Sequence, residues 1–152
     1  MCYNDNSGTA TAASVSWLSN NAWGDGTAGT DAGAGVPNAK LQRGYIDDTQ
    51  NGEGKVTIDV TNIPYPSYDV VVYASGDNPG AVIGGFSING ADAVDGGDYA
   101  NWEDSPSLEI GRNALVFTGL SGDLNVFGEK GPRVGHAPLE ISRSTISGIQ
   151  II

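Results

Sequence analysis

Lys55-Val56-Thr57-Ile58-Asp59-Val60 is the stretch on which the fold turns. Val56, Ile58 and Val60 fall on one side of an extended chain, and Thr57 and Asp59 fall on the other, as in a strand with one face in water. Tyr68 to Ala74 carries the same signal further: after Asp69 it is apolar on both faces, which suits a central strand covered on both sides. Ala12 to Leu18 alternates as well, with Val15 and Trp17 opposite Ser14 and Ser16, and such an alternation places Trp17 in the core. Further strands are expected at Leu41 to Ile46, Gly85 to Ile88, Ala114 to Thr118, Leu124 to Phe127 and Ile146 to Ile152. No window of a dozen residues keeps apolar positions at helical spacing without a Gly or Pro interrupting it.

Between these runs stand turn formers: Asn51-Gly52, Asn78-Pro79-Gly80, Asn89-Gly90, Asp95-Gly96-Gly97 and Ser121-Gly122-Asp123. Gly119 to Asp123 joins two short apolar runs and reads as a hairpin. The two prolines of Asn62-Ile63-Pro64-Tyr65-Pro66 break the chain between strands, because neither can donate to a ladder. Two long segments, Asn20 to Asn38 and Ala91 to Pro106, fit no strand pattern and read as long loops, where function is expected. About eight short strands, two long loops and no helix predict an all-β fold, an antiparallel β-sandwich of jelly-roll type.

The chain has 152 residues, the length of one domain, so residues 1–152 are read as a single sandwich with no internal linker or repeat. A domain of that size buries about 68–70% of its unfolded surface and needs no disulfide to hold a core. The lone Cys2 excludes an internal disulfide and a thiolate zinc cluster, and the lone His136 excludes a multi-histidine metal site. Seven basic residues against 18 acidic ones leave a net charge of −11, which argues against nucleic acid and anionic membrane surfaces. No apolar run reaches the roughly 20 residues of a membrane helix. Glycine supplies 23 residues and charged residues only 16%, the composition of an extracellular bacterial module. With no signal-peptide pattern after Met1, the chain reads as a piece of a longer secreted protein.

Catalytic signals are sparse. His136 lies in Gly135-His136-Ala137-Pro138 without a nucleophile elbow, and no phosphate-binding loop follows the glycines of 24–35. Eighteen acids offer many carboxylate pairs, yet glycoside cleavage also needs a deep cleft that short connections leave little chain to build. The chain is therefore read as not an enzyme. Hard oxygen donors in loops fit calcium, with Asp95, Asp98 and Asp77 as the candidate ligands of a structural Ca2+ ion. Asp95-Gly96-Gly97-Asp98 lets two carboxylates converge, though the same acids serve equally well to solvate a loop.

Aromatic residues carry the best functional signal. Trp23, Tyr99 and Trp102 stand in polar segments, and a sugar ring presents a C–H face that packs on such a plane while its hydroxyls bond polar groups at the rim. Asn101, Glu103 and Asp104 are the hydroxyl partners around Trp102; the other reading of Trp102 is an anchor pinning its own loop to the core.

Lys40 to Asp47, Ile63-Pro64 leading to Tyr68 to Tyr73, Asn113 to Leu120 and Ile146 to Ile151 together resemble a β-sandwich domain of secreted bacterial multidomain proteins, similar to galactose-binding-like and carbohydrate-binding modules. The resemblance rests on strand cores and turns, covers about two thirds of the chain and brings no ligand motif. It implies a noncatalytic module, secreted or at the cell surface, that holds a parent catalytic or surface domain of the same chain on a polysaccharide or oligosaccharide. The alternative is a structural or adhesive spacer without sugar binding; a small glycoside hydrolase or polysaccharide lyase ranks below both. Neither nucleic acid nor membrane insertion enters these expectations.

Overall fold

The computed structural model describes residues 11–24, 44–47, 55–74, 85–91, 108–111, 113–129, 131–132, 140–141 and 143–152. All named strand pairs are antiparallel, and no helix occurs among the described residues. None of their segments is therefore a helix able to cross a membrane, which says nothing of a β-barrel. The strands are β1 (Ser14–Ser19), β2 (Asn21–Gly24), β3 (Gly44–Asp47), β4 (Lys55–Thr61), β5 (Tyr68–Tyr73), β6 (Phe86–Ile88), β7 (Ala114–Leu120), β8 (Leu124–Glu129), β9 (Gly131–Pro132), β10 (Glu140–Ile141) and β11 (Gly148–Ile151).

They form a four-stranded sheet in the order β1-β4-β8-β6, a three-stranded sheet β11-β5-β7, and the two-stranded pairs β2-β3 and β9-β10. The expected strands at Lys55, Tyr68, Gly85, Ala114, Leu124 and Ile146 all appear within one or two residues of their predicted starts. In β4 the alternation is borne out: Val56, Ile58 and Val60 are buried, while Asp59 on the other face accepts a hydrogen bond from Asn125 Nδ2 at 2.7 Å across the ladder. β5 is the central strand of its sheet, and even its outward Val71 is buried.

From β4 to β8 consecutive strands alternate between the two larger sheets. The segment Gly119 to Asp123 is accordingly not a hairpin: β7 pairs with β5, whereas β8 pairs with β4 and β6, so the turn carries the chain from one sheet to the other. Its glycines have the positive φ that the turn formers implied, 69° at Gly119 and 74° at Gly122. What the sequence could not specify is the partner of each run, since hairpin and crossover use the same turn chemistry. Side chains fasten this crossover. Asp69 Oδ1 accepts the Gly119 N–H at 2.8 Å, the Tyr68 hydroxyl donates to the Gly122 carbonyl at 2.9 Å, and Asp123 Oδ1 accepts the Asn62 N–H at 3.0 Å. Asn89-Gly90 closes a tight turn as expected, with φ of 51° and 75° and the Ala91 N–H bonded to the Ile88 carbonyl.

One buried apolar cluster draws on both larger sheets, with Val56, Ile58, Phe86 and Val126 from the first and Val70, Val72 and Leu115 from the second. Burying each such side chain contributes about 1.5–3 kcal/mol before the ordering entropy is set against it. Tyr45 of β3 is also buried, at 4% exposure. Trp17 departs from expectation. It shares the inward face of β1 with Val15, but β1 is an edge strand of its sheet among the described residues, and Trp17 stays 56% exposed.

At Gly128 on β8 an added Cβ would come within 2.9 Å of Ser144 Cβ and 3.1 Å of two Phe86 ring atoms. Gly128→Ala is expected to lower unfolding free energy by about 1–3 kcal/mol through overpacking, read as a shift of the urea midpoint with unchanged slope. Tyr68 gives a pH signature. Burial, and secondarily the charge of Asp123, raise its pKa above the ordinary 10.0. The folded pKa lies above the unfolded one, so its contribution is fully present below pH 10 and is lost as pH rises through the raised value. Alkaline titration of stability should show this loss in the native chain and lack it in Tyr68→Phe.

Candidate functional site

Trp23 lies in β2 and not, as the composition of residues 20–38 suggested, in a loop. Its cross-strand partner in β3 is Tyr45, and the two rings stack with centroids 5.3 Å apart and planes 22° from parallel. Period-two geometry puts Asp47 on the same side of β3 as Tyr45, and both are buried. The Arg143 guanidinium lies 5.3 Å from the Tyr45 ring centroid, within cation–π range, and donates to Asp47 Oδ2. Trp23, Tyr45, Arg143 and Asp47 thus form one chain of contacts. The other carboxylate oxygen, Asp47 Oδ1, is buried with no hydrogen-bond partner among the described residues.

Local sequence explains half of this group. Tyr45 and Asp47 alternate at the end of the strand expected from Leu41, whereas Trp23 stands in a stretch that read as loop. Arg143 gave no signal, because its partner Asp47 is 96 residues away and no pattern in Ser142-Arg143-Ser144 announces an ion pair. The β2-β3 pair is joined to the rest of the chain by reciprocal backbone hydrogen bonds between Ile46 and Ile146, 3.0 and 3.1 Å long, and by the Arg143 contact.

Beside the stack lies a cleft of about 480 Å³, the size of a small-molecule site. Trp17, Tyr45, Ile46, Ile58, Ile146 and Ile149 are among its lining residues. No charged residue is among the described lining. The arrangement offers an exposed indole and a mainly apolar floor; the polar side-chain atoms of the described lining belong to Trp17, Tyr45 and Ser147, and the Ser147 hydroxyl is buried with no hydrogen-bond partner among the described residues.

Of the sequence-derived ligand contacts only Trp23 falls within the described residues, and it backs Tyr45 with one ring face. Tyr99, Asn101, Trp102, Glu103 and Asp104 lie outside them, as do the calcium candidates Asp77, Asp95 and Asp98. Among the described residues no three His, Cys, Asp or Glu side chains gather as a metal site. The exposed aromatic residue at the cleft that sequence reasoning missed is Trp17, assigned to the core by its alternation. No family model, no curated protein and no solved structure matches the chain.

Removing Arg143 leaves the buried Asp47 carboxylate unpaired and takes away the cation on Tyr45. Arg143→Ala is expected to cost about 2–3 kcal/mol in denaturant unfolding. Arg143→Lys should recover only part of that loss, since an ammonium lacks the planar fork and the ring stacking. Equal stability of all three proteins would contradict the contact chain.

Proposed function

We propose that this chain is a noncatalytic carbohydrate-binding module, a β-sandwich of jelly-roll type that holds a secreted enzyme or surface protein on polysaccharide outside the cell. The observation that carries the reading is Trp17, a tryptophan 56% exposed at the wall of an uncharged apolar cleft. An indole plane in that position matches the C–H face of a pyranose, whose edge hydroxyls can stay in water or reach backbone groups at the rim. Two further facts support the sandwich: consecutive strands from β4 to β8 alternate between sheets, and both sheets feed one apolar cluster. Stacked sheets lie about 10 Å apart, a gap that short crossovers such as Gly119 to Asp123 can span.

Within this proposal Trp23 supports Tyr45 from behind. Tyr99 and Trp102, with Asn101, Glu103 and Asp104, keep the stacking and hydroxyl-bonding roles read from the sequence, and Asp95, Asp98 and Asp77 remain the ligands proposed for a structural calcium ion. The competing reading is a structural or adhesive spacer. Affinity electrophoresis in gels cast with soluble polysaccharides separates the two. Trp17→Ala is expected to weaken retention roughly three- to tenfold, the worth of one aromatic platform. Native protein that migrates unretarded in every gel would favour the spacer.

A further inference from the structure

A second cleft, of about 380 Å³, continues the first: Val15 and Ile149 line both. Beyond them it runs past Ala13, Ile63 and Ile151 to Tyr65, a residue 42% exposed, with Thr11 and Gln150 as its polar lining residues. The two clefts therefore form one groove along the seam between β1 and β11, which are edge strands of their sheets among the described residues. Ala13, Val15 and Trp17 supply one bank at alternate positions, a rise of about 13 Å if extended, longer than a single sugar ring. An exposed aromatic residue stands toward either end, Trp17 and Tyr65. Neither cleft has a charged residue in its described lining, although the chain carries a net charge of −11.

We infer that this groove holds a neutral, linear oligosaccharide of equatorially substituted pyranoses, stacked on Trp17 toward one end and on Tyr65 toward the other. The inference rests on the carbohydrate-binding reading above and adds the ligand's charge, length and configuration. Charge follows from the lining: no described lining residue carries a charge that would compensate an anionic sugar, and the acidic chain repels it. Length follows from the two platforms, since one ring cannot reach both. Configuration follows from the two aromatic platforms. A pyranose with only equatorial substituents has C–H groups on both faces and directs its hydroxyls along its edges, clear of the ring it stacks on. An axial hydroxyl would stand between the sugar face and an aromatic plane, with no partner there.

The test is titration calorimetry of the native chain, Trp17→Ala and Tyr65→Ala with β-1,4-linked glucose oligomers from the monosaccharide to the hexasaccharide, alongside galactose-configured and uronate oligomers. Expected are affinities that rise with glucose-oligomer length, with the other two series weaker at equal length. Tyr65→Ala should lose roughly three- to tenfold on the hexasaccharide and nothing on the monosaccharide, whereas Trp17→Ala loses on both. Affinity independent of length, an unaffected Tyr65→Ala, or a preference for uronate or galactose oligomers overturns the inference while leaving sugar binding standing. A dimer in sedimentation that dissociates on Trp17→Ala also overturns it, because a second copy then fills the seam. Failure of every glycan to bind the native chain removes the carbohydrate reading itself, and this inference with it.

Discussion

Packing of inward-facing side chains from two sheets into one cluster is the constraint on which the rest of the molecule depends. Val56, Ile58 and Val60 face that cluster only because β4 holds its register with β1 and β8; a slip of one residue would turn all three outward. The same packing dictates the crossovers. A chain whose successive strands belong to different sheets must spend its turns passing between them, and the hydrogen bonds of Tyr68, Asp69 and Asp123 hold one such passage in place. Close packing also sets the identity of Gly128, where Ser144 and Phe86 leave no room for a methyl group.

The β2-β3 pair answers to a different logic. It is a two-stranded ribbon, a structure marginal by itself in water, and its attachment comes from outside its own hydrogen bonds. Ile46 and Ile146 join it by backbone, while Arg143 joins it through charge and ring face. Tyr45 thereby gains a fixed orientation, with Trp23 stacked on its ring and Arg143 over it.

The groove exists because β1 and β11 have no strand beyond them among the described residues. Apolar side chains of the inner faces then run out to an open seam, and Trp17 and Tyr65 occupy its margins. Core and candidate site are thus parts of one feature: the layer of side chains that seals the middle of the molecule becomes, at its margin, an apolar surface in contact with solvent.

Strand class, the positions of most longer strands and the turns at Asn89-Gly90 and Gly119 to Asp123 were legible in the residues themselves, since period-two alternation in Lys55 to Val60 and positive-φ turn formers act over a few residues; the turns read at Asn51-Gly52, Asn78 to Gly80 and Asp95 to Gly97 lie outside the described residues. Trp17 marks the limit of that legibility. Alternation told which face of β1 it shares with Val15, but not whether another layer reaches far enough to cover it. Trp23 marks a second limit: a four-residue strand among glycines and alanines has too little local signal, and only pairing with β3 shows it. Arg143 and Asp47, 96 residues apart, could be joined by nothing short of the folded chain. What the amino-acid order determined by itself was local: which residues extend, which reverse, and which side of each strand is apolar. Which strands become neighbours, which apolar residue is left in water and which distant charges meet were decided by tertiary structure, because those outcomes depend on contacts between segments that carry no trace of one another in their own sequences.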